Sequence, residues 1–218
     1  MSANRSKPDL LFVTLIHQSL RADAARLSAS ITALDPADRP QRLAGMRAFF
    51  GQYCDQLRLH HTHEDNLFFP ALQGALGADN MPTPELAAQH ETLDAELQAT
   101  SEGLAGLVDP SGDFEANRAK LANNMSSLVA HLDAHLALEE ATVLPLIESA
   151  LSPTTYKQLE AQARRQTPRP QARFLIPWLV AHATAQQQTA LFKTAPPLRF
   201  VNWLDRRHYR HLDHALAS

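Results

Sequence analysis

Apolar positions recur with a helical period from residue 9 to about residue 34, which predicts a first long helix. Asp35-Pro36 then supplies a capping side chain and a proline suited to the first turn of a second helix. That helix should run to Pro70 or a little beyond. GALGADNMP reads as a turn, and Thr83-Pro84-Glu85 as a helix start with cap, proline and early acid. The third helix should end near Val108. DPSGD is the next turn, and a fourth helix should span about 113–150, bent or interrupted at Pro145. Short links between long helices force antiparallel neighbours. The predicted fold is therefore all-α, an up-down-up-down four-helix bundle.

Residues 151–218 read differently. Ser152-Pro153 caps a short polar helix, QTPRPQ (166–171) is a break, and FLIPWLVAHATAQQQTALF and PPLRFVNWLDRRHYRHLDHAL are two more helical stretches. At this length the segment is too short for a core of its own. It is expected to be a helical C-terminal extension packed on a bundle domain of residues 9–150. Trp178, Phe200 and Trp203 lie in it, so it should cover part of the bundle and limit access to the interior.

Composition narrows the class. Only seven glycines occur in 218 residues, none after Gly112, which suits helices throughout. The net charge of -3 lacks the basic footprint of a nucleic-acid binder. No apolar run is long enough for a membrane span, and the first twenty residues lack the layout of a signal peptide. A lone Cys54 excludes an internal disulfide framework, so a cytoplasmic location is expected.

The 11 histidines carry the chemistry. HHTHEDNLFFP (60–70) and HLALEEATVLP (135–145) align without a gap: His, Glu four residues on, an acid at the fifth, Pro at the tenth. His17 precedes the first copy by 43 positions, and His90 precedes the second by 45. The bundle is thus two copies of one helical hairpin. On a helix, positions i and i+4 share a face. His60 with Glu64, and His135 with Glu139, therefore point inward together, at depths matching His17 and His90. Four imidazoles and two carboxylates suit iron, manganese or zinc, and carboxylates from opposite helices can bridge two ions. His90-Glu91-Thr92-Leu93-Asp94 approaches a zinc-protease HExxH motif but lacks its second histidine.

HHTHEDNLFFPAL and HLDAHLALEEATVLPLI resemble the hemerythrin-like (HHE cation-binding) family, in particular its bacterial, notably actinobacterial, branch. The resemblance covers about residues 9–150. It implies a four-helix bundle holding two iron ions as an oxo- or hydroxo-bridged centre, with His17, His60, Glu64, His90, His135 and Glu139 as ligands. Oxygen-carrying members use five histidines, two of them four apart on the third helix. Here that pair is His90 and Asp94, so Asp94 is an additional ligand candidate.

Other residues share faces with these six. Tyr53 lies seven before His60, Arg21 four after His17, and His131 four before His135. They are candidates to tune the site, Arg21 by pairing with Asp94 and His131 also as a fifth histidine ligand. His61 is expected to point away, His63 to stand off the centre and touch its rim at most, and Asp65 and Glu140 to be exposed. Arg206, Arg207, His208, Arg210, His211 and His214 read as a solvated face.

Two functions compete. One is redox chemistry with O2, hydrogen peroxide or nitric oxide, as peroxide breakdown or as an oxidase or oxygenase step on a small organic substrate. The other is binding or sensing of O2, nitric oxide or iron without turnover. Four histidines and two bridging carboxylates leave an open position on each iron, which favours the redox reading. A further ligand from His131 or Asp94 would weaken that argument.

Overall fold

The structure, a computed structural model, describes residues 7–77, 81, 83–109 and 111–216, and among these every regular element is helical. Helix α1 spans Leu11–Thr32 and α2 spans Arg39–His63. Helix α2 passes through one π-helical turn, Glu64–Phe68, into α3, Phe69–Leu76. Helix α4 is Thr83–Gly106. Helix α5, Phe114–Leu138, passes through a second π turn, Glu139–Val143, into α6, Leu144–Ala150. The all-α expectation therefore holds.

The helix ends follow local chemistry. The Asp113 side chain accepts from Ala116 N–H at 3.0 Å and caps α5. Asp35 accepts from Ala37 N–H at 2.7 Å, but over a 3-10 turn, Pro36–Asp38, rather than at the start of α2 itself. The capping role expected of Thr83 and part of the GALGADNMP turn lie outside the described residues.

Cross-helix contacts fix the directions. Along α1, residues 17, 21 and 32 meet residues 140, 133 and 118 in turn, so α1 and the α5 hairpin arm run antiparallel. Helix α4 meets α5 in the same sense, through Gln89–His135 and Glu96–His131. Helix α2 meets α4 through Arg58–Asp94 and Asp65–His90. Helices α1 and α2 meet through His17–His60 and Tyr53–Leu20.

The extension contains three α-helices rather than two beyond the capped α7, Pro153–Gln166: α8, Arg169–His182; α9, Ala185–Thr194; and α10, Pro197–Asp213. The stretch 174–192 is split because Thr184 and Gln187 form a capping box that starts a new helix. Helix α8 lies on α1 and α2, and its Phe174, Trp178 and Leu179 belong to the same buried cluster as Leu20, Leu27 and Leu57. Asp23 of α1 anchors it. This fully buried carboxylate accepts from Trp178 Nε1 at 2.6 Å, sits 3.0 Å from His182 Nε2, and pairs with Arg26 at 2.6 Å. At the far end, a Cβ on Gly45 would stand 2.5 Å from Ala215 Cβ, so glycine here permits the close approach of α2 and the C-terminal turn. Trp178 and Tyr209 are buried, whereas Phe200 and Trp203 stack on each other and stay exposed.

A second apolar cluster, with Phe69, Leu72, Leu86, Val143 and Ile147, closes the other end of the bundle. Between the two clusters lies a buried layer of histidine and glutamate.

Candidate metal centre

Each copy of the repeat changes helix type at its glutamate. Phe69 N–H bonds to Glu64 carbonyl and Leu144 N–H to Glu139 carbonyl, one residue beyond the α pattern. The cause is in the sequence. Pro70 and Pro145 have no N–H for the carbonyl four residues back, and their rings would strike it. A widened turn absorbs the clash without ending the helix.

Within this layer Glu64 and Glu139 are shared by two groups of side chains. The first adds His17 and His60, the second His90 and His135, and in each the ligand atoms lie within 4.8 Å of one another. His17 Nε2 is 3.4 Å from Glu139, and His135 Nε2 is 3.5 Å from it. His60 Nε2 is 3.3 Å from Glu64, and His90 Nε2 is 3.7 Å from it. All four Nε2 atoms, Glu64 Oε2 and both Glu139 oxygens are buried without a hydrogen bond among the described residues. Such groups are costly to bury unless something satisfies them together. Bound cations would do so, so the residues fit the metal that the motif implies.

The electrostatics prepare ligands. Burial, and then His60, lower the His17 imidazole to about 4, and burial, with neighbouring imidazoles, takes His135 to about 4. Both rings are neutral at physiological pH, the form that binds metal. Burial and the Glu139 charge push Glu64 up, as expected of two carboxylates sharing a site. Burial works to raise Glu139 as well, but His60, His135 and His17 outweigh it and hold that carboxyl down to about 2.

The outer ring nitrogens are held across the bundle. His17 Nδ1 lies 3.0 Å from Glu140, and His90 Nδ1 lies 3.2 Å from Asp65. Each hairpin's lone histidine is thus held by the acid following the other hairpin's glutamate. His135 Nδ1 lies 3.0 Å from Gln89 Oε1. These acceptors direct Nε2 inward. A family model for the hemerythrin HHE cation-binding domain matches residues 12–147, with both copies of the motif inside it. The chain belongs to the hemerythrin HHE cation-binding family. No curated protein and no solved structure matches it. Cation binding by the bundle follows from the family and from the ligand groups together. Helices α7–α10 lie beyond the matched residues.

Several residues of this family member sit elsewhere than the sequence suggested. Arg21 does not pair with Asp94. It pairs with Glu140 at 2.5 Å and Asp133 at 3.3 Å, while Asp94 pairs with Arg58 at 3.2 Å. The helix carrying Arg21 adjoins α5, not α4, at this level. His131 points outward to Glu96 at 2.6 Å, and its side chain is 55% exposed. Neither Asp94 nor His131 joins the ligand groups. The Tyr53 hydroxyl is fully buried and donates to Leu20 carbonyl at 3.3 Å. Asp65 and Glu140 are half-exposed, as expected, yet hold histidines. One step past an inward-facing glutamate is ~100° round, at the seam with the next helix.

His61 is the largest departure. It is buried, stacks on His90 with centroids 3.9 Å apart, and forms a third group with His90 and His135. Both its nitrogens lack hydrogen bonds among the described residues. Burial, then His90, lower its imidazole well below the usual range. Its position on α2 faces α4 rather than solvent, a fact only the neighbouring helix reveals. His63 instead lines a cavity beside the centre.

Proposed function

We propose that this family member holds two iron ions through His17, His60, Glu64, His90, His135 and Glu139, and uses them to react with O2 or hydrogen peroxide in the presence of an organic molecule. The observation that carries this reading is the setting of the ligands. His60, Glu64 and Glu139 form part of the wall of a cavity of about 570 Å3, otherwise mainly apolar. A pure carrier of a diatomic gas has no use for a space of that size. Iron, when bound, supplies the redox chemistry. The chain's own residues aim the imidazoles through Glu140, Asp65 and Gln89, hold Glu140 through Arg21, and exclude bulk water with the two apolar clusters. On this reading residues 9–150 form the metal-binding domain and 151–218 its cover. Buried Cys54, kept as a thiol, suits a reducing cytoplasm.

A second reading, binding or sensing of O2 or nitric oxide without turnover, draws on His61. A fifth imidazole at the His90–His135 end would close a coordination position.

The test is optical and analytical. Wild-type protein is expected to hold two iron ions per chain and His60→Ala fewer. Reduced protein exposed to O2 and then purged with inert gas should stay oxidised, and the oxidised protein should consume peroxide. Absorption that comes and goes over repeated cycles would move the assignment to reversible binding.

A further inference from the structure

The cavity beside the centre is built by both parts of the chain. The bundle contributes Val13, Ile16 and Phe68, and the extension contributes Ala172, Ile176 and Leu198. Its volume of about 570 Å3 falls within the about 300–1,000 Å3 of pockets that take drug-sized molecules. Charged and metal-ligating groups sit at two places. At one stand His60, Glu64 and Glu139. At the other, α7 presents Lys157, Glu160 and Arg164, three, four and seven residues apart and therefore on one face. Lys157 and Arg164 are exposed at the rim, and neither makes an ion pair within 4 Å among the described residues. The rest of the wall is mainly aliphatic and aromatic, with Gln56, His63, Thr167 and Thr194 as its few polar side chains and Asp9, which accepts from Leu11 N–H at 3.1 Å, as a further acid.

An apolar cavity with two exposed cations at its rim, neither offset by a carboxylate within 4 Å, and metal-ligating residues in its wall suits an amphiphile with an anionic end. We propose that this cavity binds a single-chain fatty acid, its carboxylate at Lys157 and Arg164 and its hydrocarbon chain against the metal-ligand wall. This rests on reading the centre as one that acts with an organic molecule, and it names the class of that molecule. Both arms of the pocket are needed. Helix α7 supplies the head-group cations, and Ala172 and Ile176 of α8 supply the wall opposite Val13 and Ile16 of α1.

The experiment uses the full chain, iron-loaded and iron-free, with dodecanoate below its micelle concentration. Binding is followed by calorimetry and by the fluorescence of Trp178, which lines the cavity, in a Trp203→Phe background. Saturable one-to-one binding is expected. Ala172→Phe and Ile176→Trp, which fill the cavity from half-buried and buried positions, should each weaken it at least tenfold. Lys157→Ala with Arg164→Ala should weaken dodecanoate severalfold and leave 1-dodecanol and methyl dodecanoate unchanged, which separates a free acid from the chain of an ester. Thermal melts and iron content check that each variant is folded and loaded. No saturable binding, binding indifferent to both filling variants, or preference for the alcohol or ester would overturn the proposal. Iron loading and O2 reactivity that persist without fatty-acid binding would sink this inference alone. Fatty-acid binding by a protein that holds no iron would sink the function proposed above and leave the pocket assignment standing.

Discussion

Single side chains set how the buried imidazoles are held, and those that do so are not all members of the ligand groups. Glu140 touches both His17 and Arg21, so its loss frees an imidazole to turn. Outer acceptors of this kind are typically worth about 10–100-fold in metal affinity. Glu140→Ala should fall in that range by competition with a chelator of known affinity, with the fold intact by circular dichroism. His61→Phe asks a different question. Phenylalanine preserves the stack on His90 and removes both nitrogens. If His61 serves the His90–His135 end, the variant should melt like wild type without metal and load less than two irons per chain. Full loading would make His61 a packing residue. These residues also show where a one-helix reading of sequence stops. His60, Glu64, His135 and Glu139 were legible because i and i+4 share a face whatever surrounds the helix. His61, Asp65 and Glu140 were not, because a position at a helix edge is exposed or buried according to which helix lies beside it.

At the scale of the element, the π turns tie the two prolines to the placement of Glu64 and Glu139. Nothing in hydrophobic periodicity distinguishes them from ordinary helix, although Pro70 and Pro145 at matching places were a visible signal. Pro145→Ala restores an N–H and removes the ring clash, so the turn can relax towards α geometry. The expected outcome is a metal-free protein at least as stable as wild type with weaker metal binding, read by thermal melts with and without iron. Equal metal affinity would mean that the turn is incidental. The break at Thr184 likewise had a signal, Thr-x-x-Gln, that the apolar run on either side masked. Asp23 is the joint between elements. Asp23→Ala leaves Trp178 Nε1 and His182 without their shared acceptor in the interior, while Arg26 keeps Asp213. Removing one partner from such a buried network typically costs about 3–5 kcal/mol. Urea unfolding should show that loss, with Trp178 emission shifting to the red at lower denaturant than in wild type.

For the whole molecule, the junction of bundle and extension sets a pH response. Glu160 sits there, raised to about 7 by burial and then by Asp9, against the opposing pull of Arg164 and Lys157. Its carboxyl is thus protonated more readily folded than unfolded, where it titrates near 4.5. The folded state gains from that proton below pH 4.5 and loses the gain as pH rises through 7. Glu160→Gln, which mimics the protonated form, should melt with wild type at pH 4 and above it at pH 8. The crossover belongs between those values. A constant difference across the range would assign the effect to packing rather than titration.

The cross-clasp of the two hairpins has a consequence for assembly. Each ligand group draws three residues from one hairpin and a single glutamate from the other: Glu139 joins His17, His60 and Glu64, and Glu64 joins His90, His135 and Glu139. Neither half can complete a coordination sphere by itself, yet two identical halves face to face could complete both. A single hairpin of this kind, about half of the bundle, would therefore gather such a group only by pairing with a second copy. The two copies are not identical: beside its histidine one carries His61 where the other has Leu136.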